Sequence, residues 1–541
     1  VSNLKKISRD QQKGQGPLRL GLILLGAILV LTSLVYMPSM KNEVLYGWDD
    51  GLYLEDAHLR NFETSSVTHF FSDFYLGMYQ PLPVLSLAID KQFYGDKASG
   101  YHFTNLFLHL LNIVLVFFFI YFLTRKINLA LLVSLLFSIH PMHVEAVGWI
   151  AARGALLFTV FYLSALIFYL RYLDKLKWQK LAITFLFFVL ACFSKSMAVT
   201  LPLVLLAVDY FRDRKFTRAS ILEKLPFFAL SIVFGIISVR AAGAFGHIEN
   251  LSSSYNFIDR IFLFSYGVAF YLFKAIVPVN LSAIYSFPLK EGSALPLEYY
   301  LSILVFPALY FLVLYLKKFR KETIFGLLFF LFSISVVLPF YWSRIFIAAE
   351  RYSYLTYLGL YLLIAWGIDK LYDKGHLKLR RLRPYFTAAL VIYAGFYIVT
   401  TVQRGKVWKN TETLLTDVVE KPHSGSTHSY GYFYRANYFD MTMEFERALA
   451  DYDQAISLNP GFILAYNNRG IVKGMNREFA GAVQDFTKAV ELKPDYADAY
   501  YNRGLANYQL GNKEQACQDW IKADRLGSPN ALKFIQQNCS H

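Results

Sequence analysis

From Leu20 to near Asn410 the chain is a succession of apolar runs, and no other feature narrows its fold so far. Each run is about 17–22 residues long, enough for a helix to cross a hydrocarbon core of roughly 30 Å. Hydrophobic residues make up 55% of the 541 and charged residues only 17%, where a water-soluble domain carries about 25% charge. The reading is an all-α chain: a polytopic membrane bundle over 1–410, then a segment that reads as soluble. A length of 541 residues leaves room for both.

The net charge of +15 does not point to nucleic acid. Most Lys and Arg sit in short loops between apolar runs, where they set topology, and no basic face carries an RNA or DNA motif. Lys5, Lys6, Arg9, Lys13 and Arg19 precede the run Leu20 to Met37. That run is long and no small-x-small cleavage site follows it, so it reads as an uncleaved first span with a cytoplasmic N-terminus. The first outer loop is then 40–101. Arg125 and Lys126, Arg171 to Lys180, and Arg212 to Arg218 fall inside. The stretch 257–277 is long enough to cross. If it crosses, Lys317 to Lys321 and the cluster Lys378, Arg380, Arg381, Arg383 fall outside; if it is re-entrant or interfacial, both fall inside, as the positive-inside rule prefers. The expectation is about eleven crossings, with the C-terminal part extracytoplasmic.

A 34-residue period marks that C-terminal part. Tyr432, Tyr466 and Tyr500 are in register, as are Arg435, Arg469 and Arg503; Ala448, Ala482 and Ala516; and Ala455, Ala489 and Ala523. Pro460 and Pro494 close two repeats, and Ser528 holds that place in the third. The spacing is that of tetratricopeptide (TPR) repeats, over 429–462, 463–496 and 497–528, after a linker 411–428 and before a capping helix at Asn530 to Cys539. Such an α-solenoid binds peptides or proteins and has no chemistry of its own; a rigid spacer is the alternative. Three cysteines are too few for a disulfide framework and none has metal-ligand spacing. Cys517 and Cys539, however, each lie about eleven positions from the turn at Ser528, so an antiparallel helix pair would bring them within disulfide reach. An extracytoplasmic location would let that bond persist.

Polar residues gather in the outward loops. Trp48-Asp49-Asp50 opens the first, in a segment rich in aromatics that reads as folded; paired carboxylates there suit a general base or a metal. His140, His143 and Glu145 end the third span. They suit a metal, a lipid-linked phosphate or a helix cap, although the spacing is not that of a zinc site. Arg153 follows. Lys195 interrupts apolar sequence, where an ionisable group is costly unless functional. Glu350-Arg351-Tyr352 opens another span: Arg351 suits a two-pronged grip on phosphate, and a Glu-Arg pair at a helix end is the plain alternative.

Taken together, Trp48-Asp49-Asp50, the segment His140-Pro-Met-His143-Val-Glu145-Ala146-Val147, Phe193 to Pro202 with Asp209-Tyr210, and Glu350 to Leu355 resemble the transmembrane-and-TPR (TMTC) O-mannosyltransferases and their bacterial relatives, within the GT-C superfamily of polyprenol-dependent glycosyltransferases. The resemblance implies a catalytic acid in the first outer loop, matched by Asp49 with Asp50 beside it. It implies a polyprenyl-phosphate sugar donor whose phosphate meets Arg351, Lys195, Arg153, His140 and His143, with Glu145, Glu350 and Tyr352 in support. The acceptor it implies is a protein Ser or Thr hydroxyl presented through the TPR repeats, with inversion at the sugar. No cofactor is expected; a divalent metal at Asp49, Asp50, His140 and His143 is the alternative. Two departures leave the sugar open. Gln80 stands in Tyr79-Gln80-Pro81-Leu82, where the family often has Arg, and Gly154-Ala155 follow Arg153, where it has an acidic residue. A glycan or lipid acceptor, or a non-enzymatic membrane scaffold, are the rival readings. The short repeat array favours a bacterial inner membrane with periplasmic repeats over an endoplasmic-reticulum membrane with lumenal ones.

Overall fold

A computed structural model describes residues 2–244, 249–250, 255–290, 292, 294–340, 342–343, 346–372, 383–421 and 425–539. Lys378, Arg380 and Arg381 of the basic cluster lie outside them. The chain divides into two compact units, one of Val1–Tyr285 with Lys290–Asn410 and one of Ser286–Leu289 with Thr411–His541.

In the first unit, six helices among the described residues are long and apolar enough to cross a membrane alone: Leu18–Lys41, Ala98–Thr124, Ile150–Lys175, Arg218–Ala244, Leu297–Tyr315 and Arg383–Val407. The other expected crossings are shorter, bent or less apolar. Ile127–Ile139 and Pro141–Gly148 meet at 61°, at a proline that has no N–H to continue the helix. Trp178–Ser194 and Ser196–Phe211 are short apolar helices, and Arg320–Ile334 and Ser353–Leu371 complete the bundle. The last two approach closely because both carry glycine at the contact: a Cβ on Gly359 would stand 2.3 Å from the Gly326 carbonyl oxygen. Buried amides join other helices. Asn105 Nδ2 donates to the Trp149 carbonyl at 2.9 Å and Asn112 Nδ2 to that of Leu156 at 3.0 Å.

Basic loop residues gather at one end of this bundle. Asp174 takes Arg125 at 2.9 Å and Arg212 at 2.8 Å, Lys126 meets Asp369 at 2.8 Å, and Lys321 pairs with Asp213. Lys317 to Lys321 thus share an end with Arg125 and Arg212. The stretch expected to be ambiguous forms the helix Phe257–Lys274. Asp259, Arg260 and Lys274 make it too charged for an ordinary crossing. Its start meets Phe340, ring to ring at 6.0 Å. Just beyond its end, the Ala275 carbonyl accepts from Tyr397 at 2.8 Å and lies 3.3 Å from His140 Nε2. Both ends therefore touch the end of the bundle opposite the basic one, and the helix lies across it.

The first loop at that end is folded, as its aromatics suggest. Short helices Asp49–Leu54, Ala57–Arg60, Thr64–Ser72 and Pro81–Tyr94 enclose Tyr53, Leu59, Phe70, Val84, Leu87 and Tyr101. Arg153 fastens this loop to the bundle. Its guanidinium, 0% exposed, donates to Asp90 at 2.6 Å, Asn105 Oδ1 at 2.6 Å, Ser86 Oγ at 3.0 Å and the Tyr101 carbonyl at 3.0 Å. The expectation that Arg153 binds a donor phosphate is corrected accordingly: its donors are spent inside the protein.

The second unit is a stack of antiparallel helix pairs: Gly425–Met441 with Phe445–Leu458, Ile463–Met475 with Phe479–Leu492, and Ala497–Gln509 with Lys513–Arg525. The alanines in register are fully buried where the helices meet. The arginines in register each grip an aspartate sixteen residues on. Arg435 holds Asp451 at 2.7 and 2.8 Å, Arg469 holds Asp485, and Arg503 holds Asp519 at 2.9 and 2.7 Å. Each guanidinium also lies over the tyrosine three residues before it, at 5.4, 5.6 and 5.4 Å. The linker expected at 411–428 is instead mostly helical. Thr411–Glu420 buries Leu414, Leu415 and Val418, because its apolar residues fall on one face. A further helix, Ala531–Asn538, packs on the third pair, with Phe534 against Trp520, and Cys539 is bonded to Cys517 with Cα atoms 5.7 Å apart.

Two outcomes follow for stability. Cys517→Ser should lower the urea stability of residues 411–541 by about 3 kcal/mol, the chain-entropy value for a loop closed over 22 residues; an unshifted midpoint would contradict the bond. Arg153→Met should cost about 3–5 kcal/mol by stranding buried Asp90, and Asp90→Asn in the same chain should recover most of it. Thermal melting of the detergent-solubilised protein reads both variants.

Candidate active site

Loop termini at the end opposite the basic one enclose a cavity of about 260 Å³. Its lining includes the polar side chains of Asp49, Gln80, Lys195 and Arg351 and the aromatic residues Tyr79, Trp149 and Tyr352. Met78, Met197, Val239, Ala242, Val336, Val337 and Phe346 contribute apolar surface. Asp49 is the first residue of its helix, where the free N–H groups favour a carboxylate. Lys195 is in extended backbone between Trp178–Ser194 and the turn Ser196–Thr200. Gly154 leaves room for this arrangement, since a Cβ there would come 3.0 Å from Gln80 Oε1 and 3.1 Å from the Ser194 carbonyl.

Arg351 is held from several sides. It sits in the single turn Glu350–Tyr352, ahead of the helix Ser353–Leu371. Its backbone N–H donates to Glu145 Oε2 at 2.7 Å, and its guanidinium pairs with Glu145 Oε1. The guanidinium carbon is 5.2 Å from the ring centres of both Trp149 and Tyr352. Lys195 Nζ lies 5.4 Å from the Tyr352 ring. Two cations thus converge on one aromatic ring and face the same cavity as Asp49. Burial works against the charge on Arg351, but Glu145, and more distantly Asp49, hold its pKa above the usual arginine value. This corner can seat an anion beside a carboxylate.

The neighbouring aspartates have separate places. Asp49 lines the cavity. Asp50 is buried and turned away, with Oδ1 accepting from the Ala151 N–H at 2.8 Å and Oδ2 from the Leu45 N–H at 3.2 Å. It is a buckle between the loop and the bundle, so its expected catalytic role is corrected to a structural one. Burial pushes its carboxyl up to about 7, against the two N–H groups that lower it.

His140 and His143 are also away from the cavity. His140 accepts from the Met142 N–H at Nδ1, at 3.2 Å, and its Nε2 meets the Ala275 carbonyl. His143 Nδ1 lies 2.8 Å from the Phe137 carbonyl and Nε2 3.4 Å from the Tyr361 hydroxyl. Both rings are packed among Tyr357 and Tyr361. Their ring nitrogens are used in holding the bend, so they are corrected as phosphate ligands. Among the described residues no group of three or more His, Cys, Asp or Glu is placed to hold a metal. Asp49 has Arg351 and Lys195 as cavity neighbours in place of further acidic ligands, so this donor set does not fit a divalent ion. Glu145 and Glu350 act as supports, Glu145 on Arg351 and Glu350 on Arg404 at 3.0 Å. Sequence reasoning passes over Trp149 and Arg404. The signal for Arg404 is an arginine near the end of an apolar run, costly unless it has a partner.

The Asp50 shift predicts a pH effect. A carboxyl at about 7 when folded, against 3.8 ordinarily, gives the folded chain the extra proton between those values. Stability therefore falls as pH rises through that window. Melting temperature against pH should show this slope in the native chain, and Asp50→Asn should flatten it.

Residues 478–511 match the family described as "TPR repeat", and residues 497–526 the one described as "Tetratricopeptide repeat". The chain is 24% identical over 440 residues to human "Protein O-mannosyl-transferase TMTC1", covering 72% of this chain and 49% of the relative. It is 26% identical over 305 residues to "Protein O-mannosyl-transferase F38B6.6" of Caenorhabditis elegans, covering 54% and 42%. To "Protein O-mannosyl-transferase Tmtc3" of Drosophila melanogaster it is 22% identical over 466 residues, covering 72% and 50%. The chain spans about half the length of the curated relatives it matches. An Archaeoglobus fulgidus oligosaccharyltransferase, solved tethered to an acceptor peptide, aligns over 77% of this chain and 59% of its own at 14% identity and a TM-score of 0.41. The curated homologues of this chain are thus TMTC-type protein O-mannosyltransferases, and its C-terminal part is built of tetratricopeptide repeats.

Proposed function

We propose that this protein transfers a sugar from a polyprenyl-phosphate donor to a Ser or Thr hydroxyl of a protein, on the extracytoplasmic face of its membrane. The observation that carries the reading is the cavity whose lining brings together a carboxylate, Asp49, two cations, Lys195 and Arg351, and a set of apolar side chains. Asp49 takes the proton of the acceptor hydroxyl as its oxygen attacks the anomeric carbon. The bond from that carbon to the phosphate oxygen breaks, and its electron pair stays on the phosphate. Arg351 and Lys195 stabilise the charge that builds there, which lowers the barrier most where fixed cations await it in a dry site. One displacement inverts the anomeric centre, through a transition state with oxocarbenium character. The apolar part of the lining suits a lipid-borne substrate. Mannose is the sugar in the names of the relatives; Gln80 in the cavity lining leaves the choice for this chain to experiment.

The basic residues at the opposite end of the bundle support a cytoplasmic position for that end. The last span ends with Val407 at the cavity end. The repeats that follow are read as the dock for the acceptor protein or a partner. A bacterial inner membrane, with this face periplasmic, is part of the same proposal.

Transfer from a lipid-linked sugar to peptide, followed by mass spectrometry, tests the assignment. Asp49→Asn should lower turnover by about two to four orders of magnitude, the worth of a general base, while donor binding survives. Arg351→Ala should weaken donor binding more than Arg351→Lys, which keeps the charge and loses the planar fork. Normal turnover in Asp49→Asn would take the general-base role from Asp49, no transfer by the native chain would favour a non-enzymatic scaffold, and modified lipid without modified peptide would move the acceptor to a glycan or lipid.

A further inference from the structure

Arg404 lies near the end of the last apolar helix and is 3% exposed. Its Nη2 donates to Glu350 Oε1 at 3.0 Å and its Nε to Glu350 Oε2 at 3.3 Å. A grip through both oxygens fixes the carboxylate in direction as well as position. Glu350 is itself fully buried and also accepts from the Tyr285 hydroxyl at 3.2 Å. The guanidinium carbon of Arg404 is 5.7 Å from the Trp408 ring centre, and Trp408 stacks at 5.8 Å on Trp149, a wall of the cavity.

Glu350 and Arg351 are consecutive residues of a three-residue turn, and their side chains are held by different elements. Glu350 is held by the last span. Arg351 is held by Glu145, on the short helix Val144–Gly148. The turn is therefore fastened on two sides, and the remaining face of Arg351 and the ring of Tyr352 are what the cavity receives.

We propose that Arg404 is a positioning residue for the site: by gripping Glu350 it sets the turn that presents Arg351 and Tyr352 to the donor phosphate. This rests on the reading of Arg351 as a phosphate ligand under the proposed function. A purely structural role would require only that Glu350 not be buried as an unpaired charge. The two roles separate in the double variant Glu350→Gln with Arg404→Met. It removes one positive and one negative charge and leaves the Glu145–Arg351 pair in place. Replacing a buried ion pair by neutral groups is often near neutral for stability, whereas removing one partner is not.

The test uses the full chain in detergent micelles, with undecaprenyl phosphate, which carries no sugar, as the probe of anion binding. Thermal melting and transfer kinetics are measured on the same samples. The double variant should melt close to the native chain, bind undecaprenyl phosphate about ten- to a hundredfold more weakly, and show the loss first as a raised KM for donor. Arg404→Lys keeps the charge without the fork and should fall between the two. Native-like melting together with native affinity and KM in the double variant overturns the proposal. If the double variant does not fold, unchanged affinity in a folded Arg404→Lys overturns it instead. Arg351→Ala in the same assay separates the two levels of argument. If it binds undecaprenyl phosphate as the native chain does, the phosphate reading fails and the inference with it. If Arg351→Ala is weakened while the double variant is not, only the role of Arg404 is lost.

Discussion

The contact between Glu145 and Arg351 joins the two parts of the bundle that the cavity needs. Glu145 belongs to the short helix that follows the His140-Pro141 bend, and Arg351 to the turn that precedes the helix Ser353–Leu371. The segments are 206 residues apart in sequence. One carboxylate takes both the backbone N–H and the guanidinium of Arg351, so it fixes the turn and the side chain at once. Trp149 and Tyr352 flank the guanidinium. An arginine so held has few rotamers left to lose when it meets an anion, which is the physical content of a prepared site.

The same end of the bundle carries other charge pairs with little access to water: Asp90 with Arg153, and Glu350 with Arg404. Taking such groups out of water is expensive, and their attraction roughly offsets that cost only when the remaining donors and acceptors are also satisfied. Here they are. Arg153 spends its donors on Asp90, Asn105, Ser86 and a carbonyl, and Glu350 gains the Tyr285 hydroxyl. Each pair joins elements distant in sequence, so each contributes orientation as well as stability. The cavity is what remains when loops and helix ends have been fastened around it in this way.

Much of this architecture is legible in the amino-acid sequence. Apolar run length gives the membrane bundle, because the bilayer sets how many residues a helix needs to cross it. The 34-residue period gives the repeats, because stacked helix pairs demand small residues at the same places in each unit. It also marks Arg435, Arg469 and Arg503, whose aspartate partners recur sixteen residues on. The polar loop segments are likewise visible as a set: Asp49, Lys195 and Arg351 do line one cavity. The edges of elements are less legible. The 411–428 stretch reads as a linker and is largely helix, since its apolar positions are few and its neighbour in the stack decides their burial.

Local pattern and composition are enough to read the order of the two parts, the class of fold, and the group of loop segments from which a site could be drawn. Which members of that group face the cavity depends on long-range packing. Asp49 and Asp50 are adjacent and chemically alike, yet one lines the cavity and the other buckles backbone from 101 residues away. Arg153 and Arg351 are the same residue type at similar helix starts, yet one is enclosed by four partners and the other keeps a face toward the cavity. His140 and His143 spend their ring nitrogens on the bend they sit in. The reason is common to all of them. A polar side chain has a limited number of hydrogen-bonding groups, and whether any is left for a ligand depends on partners that only long-range folding brings within about 3 Å.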